Sequence, residues 1–565
     1  MLAEPKNMLL GQESASPLRP SLEALLPAAS FEPFATRKLH RATLLWSNQA
    51  SPVSFDPDDF SYCLPLPEEP DDAYDATAPA QIFLAERYGG NGISSNGGGV
   101  RCGLRGQIQV KGIGRNPLAG TDADYWHSHG AASLEEGIRE AVWGEVCHIA
   151  LPFGGVRTLG LIATGTSAPY AAPNGPRQAR RCLILREAAL RPAHYMRAIF
   201  QKTAAGQPFD GMADARRAAL AIEMIGAGLE SAYGGSLRSA DDLNRYLCAM
   251  TSRFARQLAC AYAKRIFHGG LSGSNICVDG RWIDYGTPTT VSDYGRVIVA
   301  KNMPDLWRQH TALYDTLENF HCYLLKYLPA QLTTGILAAT AWVAHFHAEL
   351  TARFPIEFGK LAGIPEADLE AIDAAVVQRF FAICQRTIAS GNREPFKLSP
   401  THVSAMPAKM GDFHLNTLLQ TAARADTASA MDELLQPGLP ADDLRAELVS
   451  SYMALRAAWL QQQGAGADAA AYLKLNAWRC NVPFDDLYRP VFDQSIARLI
   501  AEDGEIAPFV ERYVRKAQCI IAEPTAGAFR IDALLPAQSG KVWVRLEGAD
   551  ALLRQLHAQI PGAAL

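Results

Sequence analysis

The chain has 565 residues, 48% of them apolar and 20% charged, with a formal charge of −5 at pH 7. That length can bury a large core and hold roughly two to four domains, and the balance is that of a soluble globular protein with no basic excess to suggest a nucleic-acid partner. Eleven cysteines run from Cys63 to Cys519 without a C-x-x-C pair, which argues against a zinc centre or a disulfide framework and for a reducing compartment.

The N-terminus, MLAEPKNMLLGQES, lacks a charged region followed by an apolar run, so no signal peptide is expected. Residues 1–75 are rich in proline, serine and acids, and read as an extended segment packing along a body formed later. From 76 to about 200 the pattern is that of a small β-rich unit. Ile82 to Glu86 reads as a strand, followed by YGGNGISSNGGGVRCG, whose seven glycines from Gly89 to Gly103 exclude regular structure for most of the loop. Such a loop between strands can bring backbone N–H groups to phosphate oxygens, or serve as a flexible connection. A second strand, Gly106 to Val110, delivers Lys111. Next comes a helix starting at Ser133, where Ser133 and Glu136 read as a capping box and Leu134, Ile138, Ala141, Val142 and Val146 form an apolar stripe. Glu140 lies beside that stripe and can turn inward to meet Lys111; the alternative is a solvated helix glutamate. Strands at Val156–Ala163 and Cys182–Arg186 complete this unit.

Beyond residue 200 the periodicity is helical, with a division near 345 between a first helical part and a C-terminal helical region, 346–565. Ser239 and Asp242 cap a helix bearing Leu243, Leu247, Met250, Phe254, Leu258, Tyr262 and Ile266 on one face, which leads into HGGLSGSNICVDGRWIDYG. At the centre of that stretch, Asp279-Gly280 signals a two-residue hairpin. Counting outward, Val278 opposes Arg281, Cys277 opposes Trp282, Ile276 opposes Ile283, and Asn275 opposes Asp284. Opposed side chains sit roughly 5 Å apart on one face, so an amide oxygen and a carboxylate are expected to converge as hard ligands for Mg²⁺. His268 to Asn275 keeps the H-x-x-x-x-x-x-N spacing of a kinase catalytic loop, and Asp284-Tyr285-Gly286 stands where a kinase has Asp-Phe-Gly. The kinase base position is Gly270. The apolar run Gly335–Ala344 is too short to span a bilayer, so a cytoplasmic protein without a membrane partner is expected. The stretch Gln461–Ala471 reads as a flexible connection, and helices are expected to continue to about Leu556.

Taken together, YGGNG with the glycines up to Arg101, QVKGIGRNP, GIREAVWGEVCH, VRTLGLIATG and FHGGLSGSN…IDYG resemble the selenoprotein O family, pseudokinase-fold proteins that transfer AMP from ATP to protein hydroxyls. The likeness covers roughly residues 85–290. It implies an α+β, protein-kinase-like two-lobed fold, with ATP and Mg²⁺ (or Mn²⁺) as ligands and a protein or peptide acceptor not identified by the sequence. By this resemblance Lys111 holds ATP phosphates, Glu140 pairs with Lys111, Asn275 and Asp284 bind the metal, and Gly98, Gly99 and Arg101 belong to the nucleotide loop. Arg186 is the first of two phosphate-clamping arginines, with Arg191 and Arg197 competing for the second. The C-terminal redox residue of the family has no counterpart here, since Cys519 is the last cysteine, and two further positions depart from the family. Its Asp-Gly contact to the nucleotide is His129-Gly130 here, and its proposed base aspartate is Ser274, on a loop expected to be open to solvent. The departures leave three readings: a slower AMP transferase, an ATP-dependent enzyme or phosphotransferase acting on a small peptide or metabolite, and a nucleotide-binding partner subunit without turnover.

Overall fold

The structure, a computed structural model, describes residues 20–122, 129–170, 177–203, 210–291, 294, 297–298, 308–390, 396–397, 415–464, 467–482, 484–520, 530–537 and 540–547. Residues 1–19 of the expected N-terminal segment, and the stretch to Leu556 after 547, lie outside them. The fold is α+β, with an antiparallel sheet in the N-terminal half and a helical C-terminal half.

Nine strands make the sheet: β1 (Phe31–Lys38), β2 (Thr43–Ser47), β3 (Tyr62–Cys63), β4 (Gln81–Glu86), β5 (Cys102–Arg105), β6 (Ile108–Lys111), β7 (Ala132–Ser133), β8 (Thr158–Tyr170) and β9 (Arg177–Glu187). Their order is β2-β8-β9-β6-β5-β4-β1-β3, with β7 alongside β9. This corrects the reading of the first 75 residues as a segment laid on a finished body. β1 pairs with β4 from Phe31 opposite Glu86 to Thr36 opposite Gln81, and β2 closes the far edge against β8. A boundary at 75/76 would cut one sheet in two. Likewise, the helix Ala339–Gly359 runs across the expected division at 345.

Strand periodicity gives the sheet two buried faces. On the outer face Phe34, Phe83, Val110, Leu183 and Leu185 meet Phe60 and Tyr62 from the N-terminal segment. On the inner face Leu104, Leu161 and Ile184 meet Ile138, Val142 and Val146 of the Leu134–Ala150 helix. Ser133 Oγ accepts from the Glu136 N–H, as expected of an N-cap, but the reciprocal half of the capping box is missing because the Glu136 carboxylate turns to Arg101. The Ser239–Asp242 box is complete.

The helical half has two cores. Leu247, Phe254, Leu258, Leu317 and Phe346 belong to the first, which is continuous with the inner sheet face. Phe380, Leu419, Leu448, Trp459 and Tyr472 belong to the second. The helices Asp442–Gln462 and Ala467–Cys480 take up most of the stretch expected to be a flexible connection. Two further helices, Arg489–Ala501 and Ile506–Ile520, return to the Leu134–Ala150 helix and place Phe492, Phe509 and Tyr513 in its core. The expected continuation of helices to Leu556 is corrected by two antiparallel strands, Arg530–Ala537 and Gly540–Glu547. The alternation in KVWVRLE has the strand period rather than the helical one.

Because Phe60 covers the outer sheet face, edge-on to Phe83 with ring centroids 6.4 Å apart, Phe60→Ala is expected to destabilise the protein by ~3 kcal/mol. Urea unfolding followed by fluorescence measures this. A change below ~0.5 kcal/mol, as at ordinary surface positions, would mean that the segment is an accessory layer.

Candidate functional site

Alternation along three strands, β4, β6 and β9, turns one polar residue after another to the inner face. Val110 and Leu185 point outward, so Lys111, Gln109 and Arg186 point inward, and the register puts Gln109 directly opposite Arg186. On β4, Phe83 and Ala85 lie in the outer core while Glu86 faces in. Here the apolar helix stripe gives way to charge. Lys111 is 1% exposed, and its Nζ donates to Glu140 Oε1 at 2.5 Å and to Asp284 Oδ1 at 2.7 Å, with Glu136 Oε1 at 3.0 Å. Arg101 forks onto Glu136 with two bonds, 2.7 and 3.0 Å. Arg186 donates from Nη1 to Glu140 Oε2 at 3.3 Å and from Nε to Gln109 Oε1 at 2.7 Å. Three cations and three carboxylates thus alternate in one cluster.

Burial alone would discharge Lys111, Asp284 and Glu136, and the charges around them reverse that. Burial lowers the Lys111 pKa, but Asp284, Glu140 and Glu136 outweigh it and raise it above its ordinary value. Burial would lift Asp284, yet Lys111, Arg186 and Arg101 hold it well below the usual carboxylate range. Glu136 is brought down to about 2 in the same way, burial being overcome by Arg101 and Lys111. Sequence reasoning assigned Glu136 to a cap and missed this role. The available signal was Arg101, a cation just before β5 that had no assigned partner.

The Asp279-Gly280 connection departs by one residue from its expected register. Ile276 bridges Trp282, the Cys277 N–H bonds to Arg281 O, and the Ile283 N–H bonds to Asn275 O. Val278, Asp279 and Gly280 therefore form a three-residue turn, with Gly280 at φ +95° as the left-handed residue such turns require. Asn275 stands opposite Ile283 rather than Asp284. Asp284 reaches the cluster by another route, a left-handed backbone at φ +70°, which aspartate tolerates better than most residues. Its side chain remains 38% exposed while touching Lys111. Asn275 is half-buried and its Nδ2 donates to Gly270 O at 2.7 Å.

His268 organises the loop from within. Its Nδ1 accepts from the Gly270 N–H at 3.3 Å, and Nε2 lies 3.1 Å from Ile283 O, the arrangement of a neutral ring that donates from Nε2. Burial pushes its pKa down to about 4.

Ser274 is 6% exposed, which corrects the expectation of a solvent-open position. Its hydroxyl lies 2.9 Å from that of Ser272, and its carbonyl accepts from Arg191 Nη1 at 3.1 Å. Gly92, in the glycine-rich loop, packs so closely that an added Cβ would fall 2.3 Å from Ser274 Oγ. Gly98 sits at φ +146° with no room for a side chain, since a Cβ would meet Glu86 O at 2.1 Å. The Gly99 N–H donates to Glu86 O, and its carbonyl accepts from Asn116.

Of the two arginines competing for one role, Arg191 joins the buried polar system. It donates to Glu86 at 3.1 Å and lies over the Tyr88 ring at 4.6 Å. Arg197 is engaged at the start of the Gly211–Glu223 helix, donating to Gly211 O at 2.9 Å. His129 stacks edge-on against Tyr170 at 5.4 Å and accepts from the Ala131 N–H at 3.1 Å, while Gly130, at φ +69°, has its α-carbon face pressed on Gly114.

Among the described residues no group of three or more His, Cys, Asp or Glu side chains converges as a metal site. Compared with known proteins, the chain matches no family model and no curated protein.

The pKa shifts set an acid profile. His268 titrates lower in the folded state (about 4 against 6.5), so its contribution is complete above pH 6.5 and is lost as pH falls toward 4. Glu86 and Glu136, near 2 against 4.5, contribute above pH 4.5 and lose that contribution toward pH 2. Between pH 6.5 and 4 the parent is expected to lose on the order of 3 kcal/mol more stability than His268→Gln, read from urea melts. Parallel pH slopes would refute the assignment of a neutral buried ring.

Proposed function

We propose that this chain has a kinase-like two-lobed fold that binds Mg·ATP and transfers AMP to a hydroxyl of a protein or peptide acceptor in the cytoplasm. The observation that carries this reading is the meeting of Lys111, Arg186, Glu140 and Asp284, from two strands, a helix and a distant loop, around a carboxylate that keeps an open side. A buried lysine fixed by a helix glutamate is the arrangement by which protein kinases hold their phosphate-binding cation. Arg186, locked by Gln109 and Glu140, adds a second fixed positive charge behind it.

The charges of the cluster cancel, so a polyphosphate entering it must bring its own counter-charge. The donors present suit a hard cation: the Asp284 carboxylate, 38% exposed, and the Asn275 amide, whose nitrogen is already bonded to Gly270. Bound there, Mg²⁺ or Mn²⁺ would neutralise phosphate charge. In the transfer itself the acceptor hydroxyl oxygen forms a bond to the α-phosphorus, the α–β bridging bond breaks, pyrophosphate leaves and the hydroxyl proton passes to water. Lys111 and Arg186 offset the developing negative charge from fixed positions, which is where most of the rate enhancement in such reactions originates. A positioned general base adds roughly 100- to 10,000-fold more, and Ser274 offers none at neutral pH.

That last point favours a second reading, nucleotide binding without turnover. Ser274 is buried, its hydroxyl directed to Ser272 and its carbonyl held by Arg191. The cytoplasmic location draws support from the cysteine usage, eleven cysteines without a C-x-x-C pair, which fits a reducing compartment.

Two measurements test the proposal. The parent is expected to gain melting temperature with Mg·ATP, and Asp284→Asn to lose that gain while remaining folded, because asparagine also tolerates the left-handed backbone. Unchanged affinity in the variant would sink the site. With labelled nucleotide, transfer from α-³²P-ATP to protein marks AMP transfer, whereas γ-label alone marks phosphorylation. Binding without either label supports the second reading.

A further inference from the structure

The Leu134–Ala150 helix is held in three directions. Its apolar stripe lies on the sheet, Glu136 and Glu140 face the Lys111 cluster, and Arg139 faces the C-terminal helices. Successive helix residues are separated by about 100°, so fixing Arg139 fixes where Glu140 points. Both Nε and Nη2 of Arg139 donate to Oδ1 of Asp493, at 3.1 and 2.6 Å, across 354 residues of sequence. On the other side of the same carboxylate, Arg489 Nε lies 3.7 Å from Oδ2. Both arginine side chains are 14% exposed and that of Asp493 39%, and Arg489 Nη1 is buried without a hydrogen-bond partner. Burial, and after it the nearness of Arg139, push the Arg489 pKa down to about 10. Two cations therefore share one anion at the junction. Around them Phe492, Phe509 and Tyr513 lie in one core with Ile138, Val142 and Val146.

We infer that Asp493 is a positioning residue for the Lys111 centre: through Arg139 it fixes the rotation of the carboxylate helix, so that the C-terminal helices help decide whether Glu140 meets Lys111. An exposed pair would contribute little, but this carboxylate separates two largely buried like charges. Its removal should loosen the helix from the C-terminal side while leaving the sheet intact. The consequence for nucleotide binding rests on the function proposed above; the bracing of the helix does not.

The test uses the full chain and the variants Asp493→Asn and Asp493→Glu. In native-state hydrogen exchange, Asp493→Asn is expected to speed the amides of residues 138–150 roughly tenfold, with β9 amides unchanged and Asp493→Glu close to the parent. Unchanged helix amides, or an equal acceleration of β9 that marks a general loss of stability, would overturn the inference. If Asp493→Asn does not accumulate as folded protein, Arg489→Gln combined with Asp493→Asn removes the repulsion and carries the same comparison. In the second arm, Asp493→Asn should weaken Mg·ATP binding by at least about fivefold, and by reciprocity Mg·ATP should slow exchange in residues 493–501 of the parent. A variant whose helix is loosened but which binds Mg·ATP as the parent does would refute the positioning role. A parent that binds no Mg·ATP would refute the proposed function instead, and the exchange arm alone would then decide the brace.

Discussion

A lysine ammonium taken out of water must be met by carboxylates, and the sheet half is arranged around that requirement at Lys111. Three acidic groups surround it, and the two more deeply buried ones, Glu136 and Glu140, need further cations of their own. Glu136 is shared with Arg101 and Glu140 with Arg186, while the Asp284 side chain stays 38% exposed. The polar system then continues through Gln109 to Glu86, Arg191 and His194, ending at the Ser274 carbonyl. Removal of any one member leaves a neighbour uncompensated. Such networks give a geometry its definition more than they give a fold its stability.

What the sequence made legible were features with a local signature. Lys111 ends a strand after a glycine-rich loop, Glu140 sits on a capped amphipathic helix, and Asp284 follows a turn. Each can be read within about twenty residues, and the structure brings all three together. Glu136 was hidden because S-x-x-E has the same letters whether the glutamate closes a cap or leaves it for an arginine. The hairpin slipped by one residue because Asp-Gly serves both a two-residue turn and a three-residue turn with a left-handed glycine. Only the hydrogen bonds of Cys277 and Ile283 distinguish these.

Other features were illegible for reasons of distance. β1 contains Pro33, and β2 carries a register shift between Leu44 and Trp46, so neither shows a clean alternation. Their partners lie in β4 and β8, well downstream. The return of the Arg489–Ala501 helix to Arg139 is less visible still, since no local pattern in either segment names the other. Long-range pairing of this kind is decided by which apolar faces remain uncovered once the local elements exist.

That return path carries a consequence for biosynthesis. Every strand of the sheet has been made once residue 187 leaves the ribosome, yet the helices that brace the carboxylate helix end only at residue 520. At ordinary synthesis rates the interval lasts roughly 15–70 s, far longer than a helix or hairpin needs to form. Throughout it, Ile138, Val142 and Val146 lack the aromatic cover of Phe492, Phe509 and Tyr513. For that interval the nascent chain therefore holds every strand of the sheet, while the carboxylate helix still waits for the cover of its C-terminal partners.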